Sequence, residues 1–216
     1  MNIIEEKAAL RRRMRDLMAS CEQNQSPSLL EERSATRALL HSHIYAEATV
    51  ILAYAATGRE LSLDGLIAQA IRDGKTVALP RCTPADCAMS FHRLSPHTSY
   101  SRQVSAGAYG IREPAPSLPP IAGLTNTTLV LMPGLAFTRE GRRLGRGRGF
   151  YDRFLAEWHL HDRCSGLKGP VLMGVCHSCQ LVDWIPTEDT DITVDHILSP
   201  EGIISCSSLQ PEASAF

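Results

Sequence analysis

No stretch of this sequence is long and apolar enough to cross a membrane as a helix, which excludes a helical membrane protein. Net charge is nearly absent as well. The 22 Lys and Arg side chains almost cancel 23 Asp and Glu, leaving a formal −1 over 216 residues. That balance argues against a general nucleic-acid or membrane-surface protein. Basic character here is local, so it serves a local anion. A disulfide framework is missing too. Cys21, Cys82, Cys87, Cys164, Cys176, Cys179 and Cys206 are odd in number and irregularly spaced, and the chain is not small, so reduced thiols are expected. The opening residues lack the apolar core and small-residue cleavage site of a secretory signal, and Glu5, Glu6 and Asp16 count against an organelle import segment. A cytoplasmic protein is expected.

No internal repeat and no composition break divides the chain. A chain of this length buries a core without staples. The expectation is one domain over residues 1–205 and a frayed tail over 206–216.

The hydrophobic period gives the elements. Residues 4–19 read as an amphipathic helix with Ile4, Ala8, Leu10, Met14, Leu17 and Met18 on one stripe. A second helix is expected over 28–43, with Glu31 and Glu32 near its positive end. "ATVILAYAA" (48–56) is a continuous apolar, β-branched run, as in a strand buried on both faces. A helix over 61–74, ending at Gly74, and a strand over 75–81 complete a βαβ unit, which requires parallel pairing. An antiparallel edge strand is expected over 87–94, and a Pro- and Gly-rich loop over 107–123. Further strands are expected over 127–137, 169–176 and 193–204, and a helix from Tyr151 to His159. The alternation predicts an α/β fold: a single three-layer domain, an open, mostly parallel mixed sheet with helices on both faces.

The chemistry concentrates in "RRLGRGRGFYDRFL" (142–155), which follows the strand-like run 127–137. Gly145, Gly147 and Gly149 let successive amide N–H groups converge on an anion. The helix start behind them adds its positive dipole end. Arg143, Arg146 and Arg148 present forked donors that match phosphate oxygens. Together these features fit a polyphosphate. The loop is neither G-x-x-x-x-G-K-[ST] nor G-x-G-x-x-G. The bland alternative is a flexible, solvated Arg–Gly turn, and the apolar order on either side argues against it.

Asp152 follows directly. It either neutralises the arginines or ligates magnesium, which takes one or two carboxylates beside phosphate oxygens and water. A second carboxylate would come from "PTEDTDITVD", where Glu188, Asp189, Asp191 and Asp195 are equivalent on composition.

Four blocks in order resemble the 5-formyltetrahydrofolate cyclo-ligase family. They are Lys7-Ala8-Ala9-Leu10-Arg11; the run from Arg59-Glu60-Leu61 to Leu79-Pro80-Arg81; "YGIREP" (109–114); and "MPGLAF…RLGRGRGFYDRFL" followed by "CQLVDWIPTEDTDITVDHIL" (179–198). The resemblance covers most of the chain. It implies conversion of 5-formyltetrahydrofolate to 5,10-methenyltetrahydrofolate with ATP as co-substrate and Mg2+ as cofactor. The γ-phosphoryl group passes to the formyl oxygen, and ADP and phosphate are released.

Carried over by position, the resemblance implies ATP contacts from Lys7, Arg11, Arg143, Leu144, Gly145, Arg146, Gly147, Arg148, Gly149, Phe150 and Tyr151. Arg146 and Lys7 would be catalytic. Arg146 to Phe150 would also reach the folate, Glu60 would bond its pterin-like ring, and Tyr109 and Ile111 would wall it. Asp152 and Asp191 would hold magnesium. Phe150 stands where many members have Tyr. The stretch before Glu60 is one residue longer than usual, so either Tyr54 or Ala55 is the apolar folate contact.

A monomer acting on small molecules is expected, without nucleic-acid or membrane partners. Three other readings were weighed. Cys176-x-x-Cys179, with His159, His161 and Cys164, resembles a zinc or redox motif but lacks a second close pair. His41 and His43 suit a helix end. The competing function is a diverged relative that binds folate, nucleotide or RNA without turnover; intact Lys7, Asp152 and Asp191 favour the enzyme.

Overall fold

The computed structural model describes residues 2–24, 29–83, 88–107, 110–156 and 169–206. Its frame is a seven-stranded sheet. β1 (Val50–Leu52), β2 (Thr76–Thr83), β3 (Ala88–Arg93), β6 (Thr128–Pro133), β9 (Val171–Val175), β10 (His196–Ser199) and β11 (Gly202–Ser205) lie in the order β11-β10-β9-β6-β1-β2-β3. The five central strands run parallel. Both edges are antiparallel: β3 turns back on β2, and β11 on β10.

Side chains alternate cleanly across this sheet, because successive Cβ atoms point to opposite faces. Ile51, Val77, Leu79, Leu129, Leu131, Met173, Val175 and Leu198 share one core. The helices α2 (Leu29–Leu40), α3 (His43–Glu47) and α4 (Asp64–Arg72) cover it with Leu39, Ile44, Leu66 and Ile67. Leu52, Ala78, Val130, Met132, Leu172 and Ile197 face the other way. There they meet Phe137, Phe91 and Leu155, the last from helix α6, described over residues 150–156. The expected α/β architecture with helices on both faces is what the chain adopts.

Several boundaries differ from the sequence reading. The helix expected over 28–43 ends at Leu40, and a separate short helix starts at His43, where the Ser42 hydroxyl accepts the Tyr45 amide N–H as an N-cap at 3.1 Å. The Pro- and Gly-rich stretch contains part of a hairpin, β4 (Val104–Ala106) with β5 (Arg112–Pro114), preceded by the short helix α5 (Tyr100–Gln103). The run expected as one strand over 127–137 breaks after Pro133. Its continuation, β7 (Ala136–Phe137), pairs instead with β8 (Arg143–Leu144). The strand expected over 193–204 is the β10–β11 hairpin. Residues 157–159 of the expected helix and 207–216 of the expected tail lie outside the described residues.

The first helix, α1 (Ile3–Asn24), is longer than its apolar stripe suggested. It does not pack on the main sheet. Met14 and Met18 bury against Leu135, Ala136, Leu144 and Ile185, so α1 lies over the β7–β8 hairpin. Burial of each methionine contributes roughly 1.5–3 kcal/mol. This seat brings the polar side of α1 to the carboxyl ends of the central strands.

Candidate active site

The chain runs from β1 to β2 on one side and from β6 through β9 to β10 on the other. The direction of winding therefore reverses between β1 and β6. Ligands of open parallel sheets bind outside the carboxyl ends at such a reversal. The segment after β1 carries Glu60. The segment after β6 carries the glycine loop. They meet: Arg146 Nη2 lies 2.8 Å from Glu60 Oε1 and donates to Thr57 Oγ1 at 3.0 Å.

The loop is held from beneath. Gln180, buried in the turn after β9, donates from Nε2 to the Gly134 carbonyl at 2.7 Å and accepts the His177 amide N–H at 2.8 Å. Arg143 is only 9% exposed. Its Nη2 donates to Asp152 Oδ1 at 2.8 Å, and its guanidinium lies 5.6 Å from the Tyr151 ring centre. Arg153 donates to the Arg148 carbonyl at 2.6 Å and lies over the Phe150 ring. Gly147 takes φ +100°, where a side chain is strained, and an added Cβ would stand 3.3 Å from the Arg11 guanidinium.

α1 closes the remaining side. Arg11 Nε donates to the Gly145 carbonyl at 3.0 Å. Lys7 Nζ sits 2.8 Å from Glu188 Oε2 and 2.5 Å from Asp191 Oδ2. Burial alone would lower the Lys7 pKa, but the hydrogen bonds and charges of Asp191 and Glu188 outweigh it, and the net direction is up. Arg11 is shifted down, by burial first and then by Arg15. The Glu188 amide N–H also donates to Asp191 Oδ2, at 2.7 Å.

Of the buried polar atoms without a partner among the described residues, two are here: Arg143 Nε and the Tyr151 hydroxyl. They lie on the same ring–guanidinium stack. Orphaned buried polar atoms are rare and mark places where a ligand supplies the missing acceptor. Burial pushes the Tyr151 hydroxyl strongly up, so it stays protonated as a donor.

The expected residues sort into three groups. Lys7, Arg11, Glu60, Arg143, Gly145, Arg146, Gly147, Asp152 and Asp191 are joined by the contacts above. Arg148, Gly149 and Phe150 belong to the same loop. Leu144 does not present its side chain to the cleft; it is 1% exposed and packs beneath α1. Tyr54 is likewise a core residue, with its hydroxyl committed to the Leu61 carbonyl at 2.7 Å. Ala55 is buried next to it. Ile111 is half-buried beside the β4–β5 hairpin, where its carbonyl accepts the Gly107 amide N–H. Tyr109 lies outside the described residues.

Asp152 and Asp191 are each bound to a cation rather than to one another. Each keeps one carboxylate oxygen without a hydrogen bond among the described residues, and the two side chains are 28% and 25% exposed. Carboxylate oxygens are the ligand type magnesium takes, beside phosphate and water. Among the described residues the CxxC gathers no metal site, and His159, His161 and Cys164 of that reading lie outside them. Cys176 is buried, and no group of three or more His, Cys, Asp or Glu able to hold a metal occurs among the described residues.

Sequence reasoning missed Thr57, Gln180 and Arg153, and did not choose Glu188. Only Thr57 left a signal: Thr57-x-x-Glu60 has the spacing by which a side-chain carboxylate folds back on a preceding backbone N–H.

Fold and site together define an α/β protein whose ligand loop closes the switch point of a parallel sheet. Solved structures that share that fold include two methenyltetrahydrofolate synthetases. One is the 5,10-methenyltetrahydrofolate synthetase of Aquifex aeolicus, with a TM-score of 0.69 at 24% identity over 97% of this chain and 99% of that one. The other is the 5,10-methenyltetrahydrofolate synthetase of Mycoplasma pneumoniae, with a TM-score of 0.62 at 17% identity, covering 91% and 99%. Residues 3–200 match the 5-formyltetrahydrofolate cyclo-ligase family model, and the chain belongs to that family. The 5-formyltetrahydrofolate cyclo-ligase of Escherichia coli K12 is 30% identical over 173 residues, 80% of this chain and 88% of the relative. That of Mus musculus is 28% identical over 200 residues, 89% and 90%. The chain is accordingly a ligase of folate metabolism, and no helix among the described residues is long and apolar enough to cross a membrane.

Proposed function

We propose that the chain closes the ring of 5-formyltetrahydrofolate to 5,10-methenyltetrahydrofolate at the expense of MgATP. The formyl oxygen attacks the γ-phosphorus and ADP leaves. The neighbouring nitrogen then attacks the activated formyl carbon, and phosphate leaves with the former formyl oxygen. Such a transfer needs positioning and charge neutralisation more than a side-chain nucleophile. The site offers cations, backbone amides and carboxylates.

Roles follow from reach. Lys7, Arg11 and Arg148, with the loop amides of Gly145, Gly147 and Gly149, bind the phosphates. Arg146 stands between the phosphate loop and Glu60, so it holds the transferred group against the folate. Glu60 bonds the pterin-like ring. Arg143 and Tyr151 donate into the cleft from below. Asp152 and Asp191 would hold Mg2+, which neutralises phosphate charge when bound.

One observation carries this reading: Arg146, from the phosphate loop, reaches the Glu60 carboxylate at 2.8 Å, so both substrates' contacts converge on one guanidinium. The test is a steady-state assay of the purified protein, following the absorbance of the methenyl product, with ATP or metal omitted in turn. Product formation that needs both is expected. Product without ATP, or none from folded protein, overturns the proposal.

A further inference from the structure

We propose that Thr57 is a positioning residue for folate recognition, because its hydroxyl and amide fix one oxygen of Glu60 and leave the other facing Arg146. The inference rests on Glu60 as the pterin-binding carboxylate.

Residues 57–60 form a tight turn in which the Glu60 amide N–H donates to the Thr57 carbonyl at 3.1 Å. The Glu60 side chain then folds back over the turn. Its Oε2 accepts from the Thr57 amide at 2.9 Å and from Thr57 Oγ1 at 2.9 Å. Oε1 faces Arg146 at 2.8 Å. The carboxylate is only 10% exposed, so water does not compete to reorient it.

The hydroxyl has one proton and two lone pairs. The proton goes to Glu60 Oε2. A lone pair accepts Arg146 Nη2 at 3.0 Å. Thr57 thus takes part in both halves of the Glu60–Arg146 contact and fixes its geometry. A free carboxylate rotates about its last bond and presents either oxygen. This one cannot rotate without breaking two hydrogen bonds at once. When the pterin-like ring takes the Oε1 face, Arg146 is released toward the phosphates while Glu60 stays in place. No helix starts at this turn; α4 begins at Asp64. The Thr-x-x-Glu arrangement therefore orients a functional carboxylate instead of capping a helix.

The experiment compares Thr57→Val, which keeps shape and loses the hydroxyl, with Thr57→Ser, which keeps the hydroxyl. Glu60→Gln and the double variant Thr57→Val/Glu60→Gln complete a cycle. Hydrogen bonds to charged groups are worth enough that Thr57→Val should raise the KM for 5-formyltetrahydrofolate about tenfold or more. The KM for MgATP should stay within about twofold, and Thr57→Ser should restore the folate KM, a pattern no general loss of fold produces. In the Glu60→Gln background, Thr57→Val should add little. A normal folate KM in Thr57→Val beside an impaired Glu60→Gln overturns this proposal alone. A normal folate KM in Glu60→Gln overturns the role of Glu60 and this proposal with it. A rise confined to the MgATP KM also overturns it.

Discussion

Arg143 and Asp152 form an ion pair across the glycine loop at 2.8 Å, and the two ends are unequally wet: the arginine side chain is 5% exposed and the aspartate 28%. The arginine thus depends on the aspartate more than the reverse. Asp152→Asn should lower turnover and also cost about 1–3 kcal/mol of stability, since a buried cation loses its counter-charge. Arg146→Ala should lower turnover with a stability change within about 0.5 kcal/mol, because its side chain is 53% exposed and Thr57 still holds Glu60. Urea unfolding of both variants, set beside their kcat/KM values, separates the two. Equal stability losses would contradict the difference between the buried Arg143 pair and the exposed Arg146.

Lys7 should show itself at alkaline pH. Its folded pKa lies above 10.5, so folding holds the proton more tightly than the unfolded chain does. The resulting stability is fully present below the unfolded lysine pKa and is lost as pH rises through the folded one. Lys7→Met should therefore flatten the alkaline limb of the melting-temperature profile above about pH 10 relative to the parent chain. Parallel limbs would show that the clamp on Glu188 and Asp191 adds no linked stability.

Gly174 should not tolerate a methyl group. An added Cβ would stand 2.3 Å from the Phe137 ring, in a buried part of β9. Gly174→Ala should cost about 1–3 kcal/mol by overpacking. Combining it with Phe137→Leu should cost less than the two single losses added together, as expected for residues in contact. Strict additivity by denaturant titration would argue against the contact.

Four of the thiols should be inert at neutral pH. Burial pushes Cys82 and Cys206 up to about 11, and Cys176 and Cys179 up to about 12. The thiolate is the reactive form, so alkylation of these four in the native protein should run at least about tenfold slower than that of a free thiol. Mass spectrometry after brief iodoacetamide labelling, native against denatured, reads this site by site. Fast native labelling of Cys179 would revive a redox role for the CxxC.

The sheet was legible because its strands are buried on both faces. "ATVILAYAA" and "TTLVLMPGLAF" announce themselves by apolar runs that need no partner to interpret. Where those runs stop pairing was not legible. The break after Pro133 and the return of Ala136–Phe137 onto Arg143–Leu144 depend on Gln180 holding the Gly134 carbonyl, a contact made 46 residues away in sequence. The glycine loop was readable as an anion site from composition and context. Composition could not choose among Glu188, Asp189, Asp191 and Asp195; in the fold Glu188 and Asp191 bind the Lys7 ammonium group, whereas Asp195 accepts the Leu172 amide N–H. Leu144 and Tyr54 match positions of the binding motif, and their side chains pack in the core. The early end of the second helix and the start of the next turned on one hydroxyl, Ser42, whose capping role is invisible until the chain bends there.

The seat of α1 also sets a timetable. Lys7 meets Asp191 across 184 residues, and Arg11 meets Gly145 across 134. During synthesis, the helix bearing both cations emerges long before either contact exists. The β1–α4–β2 unit closes on short loops, whereas the cleft requires the most distant ends of the folded chain to meet, with the largest loop to close. A ribosome stalled before residue 188 would hold a nascent chain with β1, β2, β6 and β9 already synthesised and neither carboxylate of the Lys7 clamp in place.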